Sequence, residues 1–472
     1  MNSYLKDMKF PERYKTLFNN TGLLFVGTFG SKMISFIMLP FYTNWLSIED
    51  FGTTDLINVY STILVSIVSL CVAEAIFVIP MGRNKEDQIT FFSSSLIFAL
   101  CSTIALFLLY VAVVFLRGSS AASFTSNIGY IIILCITTLY MSIAQQFCKC
   151  INKIRVYAFA GIVNTLCVAL FGFVLIKRFG LFGYVLSLVI GNIIALAYVF
   201  ILARLKSFVS FSSISWRHLQ EMLRYSIPLI PNSIIWLIVS YINRPIMEAS
   251  MGMAAIGLFS LANKFPTLIT TVYNNFSNSW QISVLQEYGK DGYEMFYNRV
   301  CITVYVGLCI CVSIISIVIG PVIHLLFNDN YYPAIEYIPI LCFSTPFIAL
   351  ASIVGANFTA IKQSKYFFYS SIWSAGSAIL CNLFLIPVFG LWGACISSVL
   401  SFLVGALSRI IYSWKIVHLK WRTLYIVIGL LTLFTLLVPY FKFSTSLVLI
   451  AILVEITTCF LIIRNDVKNI NI

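Results

Sequence analysis

The sequence predicts an all-α polytopic membrane protein of about fourteen transmembrane helices: two six-helix lobes related by a parallel repeat, followed by two C-terminal helices. Three observations carry that class. Of the 472 residues, 60% are hydrophobic and 10% charged, with a mean hydropathy of +0.95, outside the range of an ordinary soluble domain. Apolar runs recur from residue 20 to residue 463, each near the ~20 residues a helix needs to cross a hydrocarbon core. The third is charge asymmetry. With the N-terminus in the cytoplasm, 23 of the 30 Lys and Arg fall in tails and loops on that side, four (Arg117, Lys177, Arg178, Lys442) on the other and three within helices. This is a positive-inside distribution. It explains the net charge of +13 as a topology signal, with attraction to anionic lipid headgroups as a by-product, and speaks against a nucleic-acid partner.

The expected spans are 20 to 45, 54 to 80, 89 to 116, 127 to 147, 156 to 176, 181 to 203, 226 to 248, 255 to 282, 300 to 327, 337 to 359, 368 to 387, 391 to 412, 423 to 441 and 446 to 463. They divide the chain into an N-terminal lobe (1 to 203), a cytoplasmic inter-lobe loop (204 to 225), a C-terminal lobe (226 to 412) and a final pair of helices with the tail (413 to 472). The apolar run after the N-terminal tail is too long for a signal-peptide core, so the first helix is expected as an uncleaved span.

Taken in order, four helices carry a polar stripe. In the first, Lys32 shares a face with Thr28 and Ser35. The second aligns Asp55, Asn58, Thr62, Ser66 and Ser69, with Glu74 about a quarter-turn away. The seventh supplies Asn232, Trp236, Ser240 and Asn243 with Arg244 beside them, and is interrupted at Pro228, Pro231 and Pro245. In the eighth, Lys264, Thr267, Thr271, Asn274, Asn278 and Gln281 follow one another by three or four residues and so line one side. Leu258, Phe259, Leu261, Phe265, Ile269 and Val272 are left for neighbours or acyl chains. Helices 3, 6 and 13 are more uniformly apolar, as suits the periphery. In the inter-lobe loop, SWRHLQEMLRYS reads as a short interfacial amphipathic helix.

An internal repeat orders these elements. FGLFG at 179 to 183 returns as FGLWG at 389 to 393, an offset of 210 that also aligns Leu170 with Leu380, Leu175 with Leu385 and Ser187 with Ser397. An offset of 205 brings Phe51-Gly52 opposite Ile256-Gly257. Six helices per copy is an even number, so both copies start on the same side of the membrane.

Lys32, Arg244 and Lys264 are the sharpest features, because a lysine or arginine at mid-bilayer costs ~2.5–3.5 kcal/mol on insertion scales. Each pairs with a carboxylate such as Asp55, Glu74 or Glu455, snorkels to an interface, or lines a cationic cavity for a phosphate-bearing substrate. Asn274, Asn278 and Gln281, with Tyr273 and Trp280, supply the groups a neutral glycan would need. Glu74 and Glu455 stand among apolar residues and are candidates for a coupling proton, with a structural carboxylate as the alternative. Asp55 is a second ion-coupling candidate or an acid near the start of its helix. Gly27, Gly30, Pro40, Pro231 and Pro266 are candidate flex points. Neither the three histidines nor the 13 cysteines show metal or redox spacing, and no nucleotide, zinc or nucleophile motif is present, so neither metal, cofactor nor catalysis is expected.

The chain resembles the Wzx-type oligosaccharide flippases of the multidrug/oligosaccharidyl-lipid/polysaccharide exporter (MOP) superfamily. Three features carry the resemblance: NNTGLLFVGTFGSKMISFIMLPFYTNWLSIEDFG at 19 to 52, AIGLFSLANK at 255 to 264, and the paired FGLFG and FGLWG turns. The resemblance implies a protein of the bacterial inner membrane with both termini cytoplasmic. It would move undecaprenyl-pyrophosphate-linked oligosaccharide repeat units to the periplasmic leaflet, for O-antigen or capsule, through a cation-lined cavity that opens to alternate sides. It further implies contact with membrane lipids, a proton or sodium ion as coupling ion, and a polysaccharide polymerase and chain-length regulator as candidate partners. The rivals are a lipid II flippase of the same superfamily, a membrane polymerase or glycosyltransferase, and a drug exporter, whose cavity would be acidic. Without a long outward loop, the enzyme reading is disfavoured.

The charge distribution makes a topological prediction. A reporter active only in the periplasm should be silent when fused at Ser207 and active at Ser120. The opposite pattern at either position counts against the orientation.

Overall fold

The structure, a computed structural model, describes residues 12–116, 126–361, 363, 365–414, 416–419, 423–437, 454 and 457. Among these the regular structure is helical throughout. Eleven stretches are long and apolar enough to cross a membrane. One of them, Ile154–Leu202, is two helices that meet at Gly180, whose φ of 52° and ψ of −127° are not helical. Twelve expected spans are thereby accounted for, and a shorter apolar helix, Thr423–Leu437, matches the thirteenth. The fourteenth expected helix, 446 to 463, and Glu455 on it lie outside the described residues.

In chain order the α-helices are α1 (Glu12–Ile37), α2 (Leu39–Trp45), α3 (Ile48–Val68), α4 (Val72–Val78), α5 (Lys85–Leu116), α6 (Ile128–Cys150), α7 (Ile154–Leu202), α8 (Trp216–Ser226), α9 (Ile230–Tyr241), α10 (Asn243–Met251), α11 (Met253–Glu287), α12 (Tyr293–Leu326), α13 (Ala334–Cys342), α14 (Ser344–Ala360), α15 (Lys365–Phe389), α16 (Leu391–Ser413) and α17 (Thr423–Leu437). Several single spans are therefore built from two helices, and proline explains most of the breaks. A proline has no N–H for the carbonyl four residues back and its ring crowds that carbonyl. The breaks at Met38, Ile242 and Phe343 each fall two or three residues before a proline: Pro40, Pro245 and Pro346. The break between α3 and α4 is different, because Leu70 and Cys71 take left-handed φ values of 46° and 55° with neither glycine nor proline present. Pro266, by contrast, sits inside an unbroken α11.

The chain forms two compact units, residues 1–45 with 56–233 and residues 46–55 with 234–472. The first centres on Val72, Ile76, Phe91, Phe92, Leu139, Ile143, Phe147 and Ala195, with the stacked Phe92–Phe147 pair inside it. The expected inter-lobe loop packs onto this core through Leu205, Leu219 and Met222, and α8 is the amphipathic helix that its sequence predicts. Along α5 the outward side carries Leu100, Ile104, Phe107, Leu108, Val111 and Phe115, the lipid-facing character expected of a peripheral span. In the second unit, α11 is fastened to α14 by Tyr273 Oη donating to Ala349 O (2.9 Å) and Trp280 Nε1 donating to Ile353 O (3.2 Å).

Both offsets of the repeat are legible in the backbone. Gly180 and Gly390 share one unusual conformation, φ 52° and ψ −127° against φ 59° and ψ −131°. Three residues later, a Cβ on Gly183 would lie 2.2 Å from Leu175 O and one on Gly393 2.1 Å from Leu385 O. The offset of 205 appears as a reciprocal crossing of α3 on α11. A Cβ on Gly52 would lie 2.1 Å from Met253 O, and one on Gly257 would lie 2.3 Å from Ile48 O. Each glycine meets the residue four positions before the other, so the contact is two-fold in character. It explains why residues 46–55 belong to the second unit.

A side chain at this crossing must push two backbones apart, and overpacking of this kind costs ~1–3 kcal/mol. Gly52→Ala should lower the unfolding temperature of the purified protein in a thermal scan. Gly307→Ala, whose Cβ would meet nothing within 4 Å, should leave it unchanged. Equal unfolding temperatures for the two variants would contradict the crossing.

Candidate functional site

The polar stripe of α11 is a real face of the helix. Lys264, Asn274, Asn278 and Gln281 are all exposed, with Thr267 partly buried between them. Thr271 departs from the stripe, being buried with its hydroxyl bonded to Thr267 O at 2.7 Å. The opposite side holds Leu261, Phe265, Tyr273, Ser277, Trp280 and Val284 in the core. Tyr273 and Trp280, expected among the glycan-facing groups, are thus buried and donate their polar hydrogens to carbonyls of α14. That is a correction: burying an aromatic with a polar tip requires a partner for the tip, and the helix next door supplies it. Among the described residues, no hydrogen bond or ion pair reaches Lys264 Nζ.

Arg244 has the opposite environment. It is 3% exposed, and its Nε donates to Asp55 Oδ2 at 3.3 Å while Nη1 donates to Ser240 O at 3.0 Å and Asn243 Oδ1 at 2.8 Å. The guanidinium also lies over the Phe259 ring, 4.9 Å from its centre. Of the readings open for Arg244, the geometry matches the pair with a membrane carboxylate. Asp55 stands two turns inside α3, where Glu49 and Asp50 are the acids of the first turn, so it is not an acid of the helix start, and its Oδ2 accepts from Arg244 Nε.

In the first unit, Thr28, Lys32 and Ser35 are exposed together on α1. The other side of α1 lies so close to α7 that a Cβ on Gly27 would be 2.6 Å from Ala158 O. Glu74 is exposed in the first turn of α4, immediately after the left-handed pair Leu70 and Cys71, so the apolar neighbours of its sequence do not enclose it.

One buried cation escapes the sequence reading. Arg409, near the end of an apolar run, counts there with the loop charges, yet it is 7% exposed. Its Nη1 donates to Ala351 O at 2.9 Å and its Nε to Ser370 Oγ at 3.3 Å, and the rings of Phe367 and Trp236 lie 5.2 and 5.8 Å from the guanidinium carbon. No carboxylate pairs with it among the described residues. Gly355 makes the room, since a Cβ there would stand 3.1 Å from Nη1. The repeat was the available signal: at an offset of 210 the first copy has Val199 in place of Arg409 and Ala160 in place of Ser370, both fully buried. A cation and its hydroxyl partner have replaced two apolar residues in the second copy alone.

Membrane-crossing helices in two repeated units, here with polar faces that bear lysine, are also the architecture of the proteins to which the chain compares. A model described as MatE matches residues 228–388. The chain belongs to the polysaccharide biosynthesis protein family, whose model matches residues 17–280, and it has the fold of the MOP superfamily. It is similar to the lipid II flippase MurJ in an inward closed conformation (17% identity, TM-score 0.70, covering 95% of this chain and all of that one). It is also similar to an inward-facing multidrug resistance MATE transporter (14%, TM-score 0.64, 83% and 93%). A third likeness is a MOP superfamily transporter from Pyrococcus furiosus described as having reversed binding-pocket polarity (14%, TM-score 0.58, 85% and 96%). At these identities the likeness is one of fold. No curated protein matches the chain in sequence.

The buried pair yields a prediction. Asp55→Ala leaves the Arg244 guanidinium without a counter-charge, a loss of about 3–5 kcal/mol in a buried site, so folded yield and unfolding temperature in detergent should both fall. Asp55→Leu combined with Arg244→Met should recover most of that stability. A double variant no more stable than Asp55→Ala would contradict the pairing.

Proposed function

We propose that this protein is a flippase that carries polyprenyl-diphosphate-linked oligosaccharide repeat units from the cytoplasmic to the outer leaflet of the bacterial inner membrane, for O-antigen or capsule assembly. The observation that carries the reading is the exposed face of α11, where Lys264 precedes Asn274, Asn278 and Gln281 along one side of a membrane helix. An ammonium suits a diphosphate, and amides suit the hydroxyls of a neutral glycan. Lys32, on the exposed stripe of α1 in the first unit, is a further cation proposed for binding. Arg409 adds positive charge with no carboxylate paired to it among the described residues, in a low-dielectric setting where charge acts over a longer range. Arg244 holds α10 to α3 through Asp55. A drug exporter for cationic compounds would want acids where these cations stand.

Alternating access then needs a driving ion. Asp55 and Glu74 are the candidates among the described residues, Glu74 being exposed beside the left-handed break at Leu70 and Cys71. A proton or a sodium ion fits a single carboxylate equally well. The family match supports an oligosaccharide over lipid II, and the same vesicle assay run with lipid II decides between them. Transport requires no enzymatic step by this chain.

In vesicles containing the purified protein, Lys264→Ala should lower translocation of the lipid-linked oligosaccharide at least tenfold while leaving the unfolding temperature unchanged. Lys264→Arg should retain part of the activity. Full transport by Lys264→Ala, or formation of glycosidic bonds by the purified protein, would refute the reading.

A further inference from the structure

The segment joining the two units is a built surface. Residues 204–229 form 3-10 turns at Leu205–Phe208, Phe211–Ser213 and Ile227–Leu229 with α8 among them. Two buried serines of α5 clamp it. Ser93 Oγ donates to Phe208 O (3.3 Å) and accepts from Ser210 N (2.9 Å), while Ser94 Oγ donates to Ser215 O (3.3 Å) and accepts from Ser215 N (3.1 Å). With Leu205, Leu219 and Met222 in the core, the orientation of the segment on its unit is fixed, and so is the face it turns outward.

That outward face is both greasy and basic. Phe211 is 79% and Trp216 66% exposed, and Ile201 at the end of α7 is 72% exposed. Arg204, Lys206, Arg217 and Arg224 are exposed beside them, while Glu221, the acid of the segment, is taken by Arg83. Between the end of α7 and the first 3-10 turn lies a cleft of about 830 Å³ lined by Phe200, Ile201, Arg204, Lys206, Ser207 and Val209. Its floor is apolar and two cations stand on its rim. Exposed aromatics at the end of a membrane helix belong at the level of the headgroups, so a soluble anion fits the rim but leaves the floor and the aromatics without a partner.

We propose that this cleft binds one anionic glycerophospholipid of the adjoining leaflet, with the phosphate between Arg204 and Lys206 and an acyl chain along Phe200 and Ile201. The orientation that the Lys and Arg distribution favours makes this the cytoplasmic leaflet. Bilayer lipid thereby becomes a ligand at a fixed place on the first unit, held by residues other than those assigned to the transported substrate.

The test uses the full chain in detergent and native mass spectrometry, with phosphatidylglycerol and phosphatidylcholine of the same acyl chains as probes. The wild type should retain one phosphatidylglycerol in preference to phosphatidylcholine. Each basic residue near an anionic headgroup is worth about fivefold in affinity, so Arg204→Asn with Lys206→Gln should weaken retention by about 25-fold. Asparagine suits the left-handed backbone at this position (φ 55°), and an unchanged unfolding temperature checks the fold. Lys206→Gln alone should cost about fivefold, and Arg217→Gln with Arg224→Gln should cost little. Equal retention of the two lipids by the wild type would overturn the proposal, as would unchanged retention in the Arg204/Lys206 variant or an equal loss in the Arg217/Arg224 variant. Displacement of the lipid by millimolar inorganic phosphate would assign the rim to a soluble anion and overturn it too.

Discussion

Inside a bilayer the hydrophobic effect does not hold one helix against another, because lipid tails are as apolar as leucine; close contact of surfaces has to do so instead. This chain makes such contact where side chains are missing. Gly52 and Gly257 let α3 and α11 cross with backbone against backbone, Gly183 and Gly393 fold two hairpins shut at their turns, and Gly27 brings α1 onto α7. The crossing of α3 on α11 sets the depth at which Asp55 meets Arg244 and brings Phe51 edge-on to Tyr331 at 6.0 Å. With one side of α11 fixed by this crossing and by its bonds to α14, the other side is left to face outward. The polar stripe is therefore a consequence of packing on the opposite face.

The four cations Arg244, Arg409, Lys32 and Lys264 illustrate three solutions to one cost. Arg244 is neutralised by a buried carboxylate; Arg409 is wrapped by a carbonyl, a hydroxyl and two rings, with no acid on it among the described residues; Lys32 and Lys264 remain exposed. A planar guanidinium with five donors can be satisfied by scattered neutral acceptors, whereas an ammonium is a strongly hydrated point charge that resists burial. The two arginines are accordingly inside and the two lysines outside. Sequence position singles out Lys32, Arg244 and Lys264 alike and sets Arg409 among the loop charges.

Much of the fold was legible in the sequence because membrane spans are written in length and hydropathy, both of which are local. The repeat was legible for a related reason: FGLFG and FGLWG specify a positive-φ glycine followed by a glycine pressed against a carbonyl, and both copies adopt that conformation. The amphipathic α8 and the stripe on α11 were readable from spacing. The pairing of Asp55 with Arg244 was one of several allowed partnerships, since spacing along one helix says nothing about which residue of another helix lies opposite. The fate of Tyr273 and Trp280 was hidden likewise, because an aromatic with a polar tip suits a glycan and a neighbouring carbonyl equally. The break at Leu70 and Cys71 has no sequence mark, lacking both proline and glycine.

The Asp55–Arg244 pair joins residues 189 positions apart in the chain. At a synthesis rate of about 5–20 residues per second, Asp55 emerges roughly ten to forty seconds before the arginine that neutralises it. During that interval the acid must stay near water or borrow a partner, and Gly52 beside it waits about as long for the helix it will press against. The second unit thus begins with a strand of chain made long before the rest of it, so its assembly is ordered in time by an early segment that is held in suspense until α10 and α11 arrive.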